Sequence, residues 1–214
     1  MENQPAKFHV STDGRKILEH SFVYNLWQLF IGGEAVHRAF IDVYCKPRKH
    51  ASILEIGCGT GTILEHIDET LGVNYCGYDE NPMYIDFAKK KYGDRGHFFC
   101  ARVSDASIAT DSFDIVLALG ILHHLSEHES LKLIESAWDS LKPGGFLFSA
   151  DPVWTNTQSR LEKFLMSKDR GQNIRTEEEY KQLVGTRFAN IESHVVSRLL
   201  NIPWTANLIK AWKN

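Results

Sequence analysis

Apolar side chains recur every three or four positions between residues 16 and 46, the spacing that places them on one face of a helix. Two groups carry this pattern, Leu18, Phe22, Leu26 and Phe30 in the first and Val36, Phe40, Val43 and Tyr44 in the second. Gly32 and Gly33 stand between the groups, and paired glycines interrupt helices. We therefore predict two amphipathic helices that form an N-terminal helical cap over residues 1–50.

From residue 51 onward, short apolar runs alternate with helical patterns. The runs at residues 53–56, 74–78, 98–103, 114–119 and 146–150 are predicted to be strands. The run at 114–119 is apolar at both parities, as in a strand that helices cover on both faces. This alternation of strands and helices predicts a doubly wound, mostly parallel α/β sheet.

Capping residues mark the starts of the helices between these strands. Asn81 with Pro82 suits the first turn of one helix, and Ser126 with Glu129 forms a capping box for the next. The side chains expected in the core are Ile63, Leu64 and Ile67 on the first helix, Met83, Phe87 and Ala88 on the second, and Leu131, Ile134, Ala137, Trp138 and Leu141 on the third.

The last third of the chain departs from this alternation. A helical pattern at 156–168 and a polar loop at 168–175 precede Thr176 and Glu179, a second capping box, for a helix that ends at Gly185. The final strands, at 191–198 and 205–212, are too close in sequence for a parallel crossover and predict an antiparallel hairpin at one sheet edge. We take residues 51–214 as one domain, with 155–176 as a lid insertion.

Composition narrows the class of ligand. The chain has 214 residues, with 24 Lys+Arg against 27 Asp+Glu and a net charge of −3. This balance argues against binding driven by nucleic-acid phosphates or an anionic membrane. The apolar runs are too short for a membrane helix, the polar start lacks a signal-peptide pattern, and the four cysteines lack metal-site spacing. We expect a cytoplasmic monomer or homodimer that binds a small molecule and no metal.

The stretch LEIGCGTG lies where the first predicted strand passes into a helix. Gly57, Gly59 and Gly61 permit positive φ angles and let a ligand approach the backbone. A dinucleotide fingerprint would require glycine or alanine where this chain has Thr62, which disfavours a nicotinamide-dependent dehydrogenase. Glu55, just before the glycines, would repel a pyrophosphate and suits the ammonium of an amino-acid moiety.

Asp79 ends the next predicted strand. A carboxylate at this position can accept both hydroxyls of a ribose in a charge-assisted contact. The alternative is that Asp79 only caps the helix that begins near Pro82.

These motifs resemble those of the class I S-adenosylmethionine-dependent methyltransferases. The resemblance covers roughly residues 50–152 and rests on LEIGCGTG at 54–61, GYDENP at 77–82, SFDIVLALGILHHL at 112–125 and LKPGG at 141–145. It implies a Rossmann-like sheet of seven strands whose last strand is antiparallel, with helical lid elements. It also implies S-adenosylmethionine as cofactor and S-adenosylhomocysteine as product.

The resemblance also implies roles for individual residues. Glu55 and the three loop glycines would contact the methionine part of the cofactor, and Asp79 the ribose. Met83 would cover an adenine face, with core packing as the alternative. The implied cofactor site is completed by Arg102, Val103 and Leu119.

Where the family usually carries an acid near the adenine amino group, this chain has Arg102, which cannot accept a hydrogen bond. A backbone carbonyl, Ser104 or Asp105 would then accept, or Arg102 would stack on the purine.

Candidate catalytic residues follow the fourth and fifth predicted strands. His123 and His124 lie after one strand and Asp151 at the end of the other, and neighbouring parallel strands end side by side. Histidine titrates near neutral pH and suits a general base, which a carboxylate can orient. We predict that one histidine is the base and favour His123 with Asp151. The alternative is that His123 lines the cofactor pocket and His124 caps a helix.

The acceptor is predicted to be a small molecule because the N/D-P-P-Y/F motif of amino-group methylases is absent after the fourth strand. Tyr24, Trp27, Phe30 and Trp154 are predicted to line its pocket, with core packing as the alternative. Arg170 or Arg175 is predicted to hold an anionic group of the acceptor; the alternative is that the groups of this loop cap helix ends and pair with Glu177 to Glu179 on the surface. The leading function is methyl transfer to oxygen, with nitrogen as second choice; the alternative is a catalytically silent S-adenosylmethionine-binding regulatory or scaffold protein.

Overall fold

The computed structural model describes residues 33–102, 108–168, 171–197 and 200–214. The first predicted helix therefore lies outside the described residues. So do the assignments made for Tyr24, Trp27, Phe30, Val103, Ser104, Asp105 and Arg170.

An eight-stranded sheet forms the centre of the described fold. Its strands are β1 (Ser52–Ile56), β2 (Asn74–Asp79), β3 (His97–Cys100), β4 (Phe113–Leu119), β5 (Leu141–Trp154), β6 (Arg175–Thr176), β7 (Asn190–Ser197) and β8 (Thr205–Trp212). The order is β3-β2-β1-β4-β5-β8-β7, and the short β6 pairs with the end of β5. Strands β1 to β5 pair in parallel, whereas β8 is antiparallel to both neighbours. The predicted seven-stranded, mostly parallel sheet is confirmed, and β6 adds to it.

Helices cover both faces of this sheet. They are α1 (Gly33–Ala39), α2 (Pro82–Tyr92), α3 (Glu127–Ser140), α4 (Arg160–Met166) and α5 (Glu177–Gly185), and α1 continues into a π-helical turn at Phe40–Cys45. One core joins α1 and α2 to the sheet, and the other joins α3 and α5 to its opposite face. The central part of β4 is buried at both parities, as its apolar sequence predicts.

The predicted caps are present. Ser126 with Glu129 and Thr176 with Glu179 form reciprocal capping boxes. Asn81 accepts a hydrogen bond from the Met83 N–H at the start of α2.

The helix predicted after the glycine loop is wrong in extent. The chain forms only a short 3-10 helix at Thr62–His66, although Ile63, Leu64 and Ile67 are buried as expected. Asp68 then accepts hydrogen bonds from the backbone and hydroxyl of Thr70. Asp68 is thus the N-cap of a second short 3-10 helix, Glu69–Leu71, and the segment consists of two short turns and not one continuous helix.

The buried faces of three helices also differ from the prediction. Val43, Met83 and Leu131 are exposed by 58%, 40% and 36%, whereas Ile85, Tyr92 and Leu133 take core positions. Apolar residues stand on adjacent stripes of each helix, and contact with the sheet selects between the stripes.

Strand β5 is longer than predicted and continues through Asp151 to Trp154. The extension pairs with β8 on one side and with β6 on the other. Asp151 therefore lies within a strand whose backbone is held from both sides.

Cys45 and Cys58 are buried free thiols, whereas Cys100 is exposed. None of the helices that the structure describes is long and apolar enough to cross a membrane.

Asp114 joins three segments of the sheet and gives a test of the fold. It accepts hydrogen bonds from the Ser52 N–H (2.8 Å), from Arg48 (2.6 Å) and from Lys142 (2.9 Å). Partial burial raises the pKa of Asp114, but the three hydrogen bonds outweigh burial and hold the pKa below its usual value of 3.8. Its contribution to stability is therefore present above pH 3.8 and is lost as the pH falls through the folded-state pKa.

We expect Asp114→Ala to lower the free energy of unfolding at pH 7 by about 1.5–3 kcal/mol, the range for hydrogen bonds to a charged group. Urea unfolding measures this difference, which should persist at pH 5. The exposed Asp86→Ala is the control and should change stability by less than about 0.5 kcal/mol. An equal loss in both variants would contradict the role of Asp114.

Candidate active site

The loop after β1 is fixed to the end of β2 by backbone hydrogen bonds. Gly57 and Cys58 donate their N–H groups to the Tyr78 carbonyl at 2.8 and 3.0 Å. Gly57, Gly59 and Gly61 all have positive φ angles, of 76°, 53° and 76°. Such angles strain residues with a side chain, so the sequence supplies glycine at each.

The three glycines meet different surroundings. A Cβ atom on Gly57 would lie 2.4 Å from Ile121 Cδ1, and one on Gly61 would lie 2.8 Å from Phe98 Cε1. A Cβ atom on Gly59 would meet nothing within 4 Å. Gly57 and Gly61 therefore permit close packing, whereas the backbone of Gly59 stands open to a ligand.

Asp79 connects the glycine loop to the start of α2. Its Oδ2 accepts the Gly59 N–H at 2.9 Å, and its Oδ1 accepts the Asn81 N–H at 2.8 Å. Burial raises the pKa of Asp79, and these two hydrogen bonds oppose the shift. Each carboxylate oxygen can accept more than one hydrogen bond, so ribose hydroxyls can be added to these contacts.

Glu55 is buried at 4% exposure beneath the loop and accepts a hydrogen bond from the Tyr75 hydroxyl. Burial raises the pKa of Glu55 to about 8. The hydrogen bond from Tyr75 lowers this pKa, and the nearby charge of Asp79 raises it further. A bound ammonium group would favour the ionised form. These groups fit S-adenosylmethionine, because the open backbone of Gly59 contacts Asp79, whose carboxylate suits a ribose, and the carboxylate of Glu55 on β1 suits an ammonium.

The residues implied at the adenine end are more scattered. Met83 is exposed on the first turn of α2, which argues against core packing; its adenine contact stays a prediction. Arg102 forms an exposed ion pair with Glu80, with Nε to Oε2 at 2.9 Å. Leu119 ends β4 and packs against the core that contains α2.

The structure brings His123 and Asp151 together. His123 Nδ1 lies 2.8 Å from Asp151 Oδ1, and the same oxygen accepts the His123 backbone N–H at 3.2 Å. Both side chains are buried, at 6% and 3% exposure. Because Nδ1 faces a carboxylate, we assign a proton to it.

His124 differs from its neighbour in being exposed. The two rings lie 4.0 Å apart between centroids at an angle of 40°. The His124 N–H donates to the Ile121 carbonyl, and the Ile121 side chain covers Gly57. The histidine turn, Leu122–His124, therefore lies directly beside the glycine loop.

Of the residues predicted to bind the acceptor, the structure describes Trp154 and Arg175, which lie on the paired strands β5 and β6. Trp154 ends β5 and is partly exposed, where it pairs with Thr176 of β6. The guanidinium of Arg175 donates to backbone carbonyls, in agreement with the alternative role of capping helix ends.

Sequence reasoning missed Tyr75, Ile121 and Gly171. Tyr75 bonds Glu55, Ile121 packs on Gly57, and Gly171 packs on His123. Ile121 lies within the motif at 112–125, whereas Tyr75 and Gly171 lie far in sequence from the residues that they contact.

Glu55 gives a prediction about pH. Its folded-state pKa of about 8 lies above the 4.5 of the unfolded chain, so ionisation penalises the folded protein increasingly between these values. Glu55→Gln should be no more stable than wild type near pH 4.5 but more stable at pH 8, by more than about 1 kcal/mol, the equivalent of about one pKa unit. Chemical unfolding without ligand, with exposed Glu192→Gln as control, measures it. If the stability difference between Glu55→Gln and wild type stayed constant across this pH range, the raised pKa of Glu55 would be refuted.

Comparison with known proteins identifies a domain in this chain. Residues 53–145 match the methyltransferase domain. A ubiquinone biosynthesis O-methyltransferase of Chelativorans sp. (strain BNC1) is 32% identical over 108 residues, which cover 49% of this chain and 42% of that protein. A hybrid PKS-NRPS synthetase of Fusarium sp. (strain FN080326) is 32% identical over 157 residues, or 68% of this chain and 4% of the synthetase. This chain thus spans less than half of either relative.

A solved structure agrees in fold. Haemonchus contortus phosphoethanolamine N-methyltransferase 2, in complex with phosphomonomethylethanolamine and S-adenosylhomocysteine, has a TM-score of 0.70 at 17% identity. The match covers 86% of this chain and 53% of that one. Residues 53–145 thus form a methyltransferase domain, and the domain match, the fold and the motifs agree with the class I S-adenosylmethionine-dependent methyltransferases, whose cofactor is S-adenosylmethionine.

Proposed function

We propose that this protein transfers a methyl group from S-adenosylmethionine to oxygen, or as second choice nitrogen, of a small-molecule acceptor, with His124 as the general base. The observation that carries this proposal is the position of an exposed His124 on a buried His123–Asp151 pair, beside the glycine loop. An O-methyltransferase among the relatives and an N-methyltransferase among the similar structures support both acceptor atoms.

The proposal moves the role of base from His123, which the sequence favoured, to His124. His123 is buried, its Nδ1 faces Asp151, and Gly171 packs against its ring. A general base must come within hydrogen-bond reach of the proton it removes. His124 has this access because its side chain is exposed. Asp151 orients the ring of His123, which lies against the ring of His124.

When bound, S-adenosylmethionine supplies an electrophilic methyl group on a sulfonium. The open backbone at Gly59 and the carboxylates of Glu55 and Asp79 hold the cofactor in our proposal. An acceptor hydroxyl or ammonium must lose a proton to present a lone pair in line with the methyl group. The His124 imidazole takes up that proton.

A cytoplasmic location and a monomeric or dimeric state stay predictions.

Asp79→Ala tests the cofactor contacts. Loss of hydrogen bonds to a charged acceptor should weaken S-adenosylhomocysteine binding by about 1.5–3 kcal/mol, roughly ten- to a hundredfold in Kd. Isothermal calorimetry measures the affinity, with Asp86→Ala as control. Thermal melting is recorded for each variant because Asp79 also holds Gly59 and Asn81. Equal affinity of wild type and Asp79→Ala would remove Asp79 from the ribose site.

The catalytic assignment is tested with labelled S-adenosylmethionine and a panel of phenols, carboxylic acids and phosphorylated amino alcohols. His124→Ala should lower turnover by about a hundredfold or more, with S-adenosylhomocysteine affinity unchanged. His123→Ala should have a smaller effect, and the exposed His128→Ala is the matched control.

Wild-type turnover in His124→Ala would exclude a base at this position. Binding of S-adenosylhomocysteine without methylation of any acceptor would support the alternative, a catalytically silent binding protein.

A further inference from the structure

We propose that residues 171–176, hereafter the clamp segment, position the histidine turn, with Arg175 and Gly171 as the residues that fix its geometry. This inference rests on the proposed function of His124 for its catalytic meaning. The placement of the two histidine rings can nevertheless be measured without any acceptor.

Arg175 ties together both ends of the histidine turn. Its Nη1 donates to the Leu122 carbonyl at 2.8 Å and to the Asn173 carbonyl at 3.2 Å. Its Nη2 donates to the Leu125 carbonyl and to Ser130 Oγ, both at 3.2 Å. Because Leu122 and Leu125 flank the two histidines, one rigid planar group fixes the backbone on both sides of them.

These contacts explain why Arg175 is a positioning residue and not an acceptor-binding one. A guanidinium has five N–H groups, four of them on Nη1 and Nη2. All four described bonds from these two nitrogens go to acceptors within the protein. A forked contact to an acceptor carboxylate would require the histidine turn to be released.

The clamp segment also packs directly on His123. The Asn173 N–H donates to the His123 carbonyl at 2.9 Å. A Cβ atom on Gly171 would lie 2.0 Å from His123 Cδ2 and 2.9 Å from its Nε2. Glycine is required here for close approach, and any side chain would force the imidazole to move. His123 is therefore enclosed between Asp151 and Gly171, with His124 next to it.

The clamp segment is itself anchored to the strand that carries Asp151. Arg175 and Thr176 form β6 and pair with Val153 and Trp154 of β5. The Tyr180 hydroxyl donates to the Pro152 carbonyl at 3.0 Å, and the Arg175 guanidinium lies over the Tyr180 ring. One strand thus supports both the carboxylate that orients His123 and the segment that covers it.

The experiment uses the full chain labelled with 15N-histidine, with and without S-adenosylhomocysteine. Arg175→Lys and Gly171→Ala are compared with wild type, and Arg187→Lys and Gly185→Ala are the matched controls. Arg187 forms a surface ion pair with Glu135, and a Cβ atom on Gly185 would meet only Ile191, at 3.8 Å. Ring NMR signals, the nuclear Overhauser contact between the two histidine rings, cofactor affinity and melting temperature are recorded.

In both test variants, we expect the ring signals of His123 and His124 to shift and the Overhauser contact between them to be lost. Affinity for S-adenosylhomocysteine should stay within about twofold, as for a site that does not touch the cofactor. With an acceptor in hand, kcat should fall about tenfold or more while KM changes by less than about threefold. Both controls should match wild type in every readout.

Unchanged ring signals in a folded Arg175→Lys variant would overturn the proposal. If the melting temperature of that variant were lower, Arg175 would serve stability alone. If its KM for the acceptor were raised, Arg175 would bind the acceptor. If a test variant does not fold, Ser130→Ala removes one Arg175 partner and should shift the His124 signal in the folded protein. Failure of the proposed function looks different, because the ring signals would respond to Arg175→Lys while His124→Ala left turnover intact.

Discussion

Parallel pairing of β1, β2, β4 and β5 is the constraint on which the candidate site depends. Parallel strands bring their carboxyl ends to one edge of the sheet, so groups far apart in sequence become neighbours. Asp79 meets Gly59, and Asp151 meets His123, because of this pairing. The antiparallel β8 then holds the far side of β5 and extends the strand beyond the sheet's central part.

Two buried carboxyl groups, Glu55 and Asp151, make this site unfavourable for the stability of the fold. Glu55 lies among apolar side chains with the Tyr75 hydroxyl as its partner. Asp151 has one oxygen on His123, while its Oδ2 and the Nδ2 of its cross-strand neighbour Asn207 have no hydrogen-bond partner within the described part of the chain. Burial of a carboxyl group is unfavourable unless its polar atoms are paired, so these groups lower the stability of the fold where they prepare it for a cationic ligand and an oriented imidazole.

The features predictable from the sequence are those that local chemistry determines. Capping boxes at Ser126 and Thr176, the glycine loop and the doubly apolar β4 depend on short spacings, and all are found in the structure. Contacts between distant segments were not predictable in the same way. The contact of Gly171 with His123 joins segments far apart in sequence, so the sequence alone favoured His123, whereas the structure leads us to propose His124 as the base. Arg175 likewise had the donors for an anionic acceptor, and only the folded turn shows that carbonyls already use them.

The central claim is that the cofactor lies between Glu55 and Asp79 with its reactive end at His124. A crystal structure of the full chain with S-adenosylhomocysteine tests this claim most directly. We expect the ribose hydroxyls within about 3 Å of the Asp79 carboxylate, the amino group toward Glu55, and the sulfur facing the histidine turn. Binding of the ligand away from the glycine loop, or with its sulfur directed away from His124, would contradict the account.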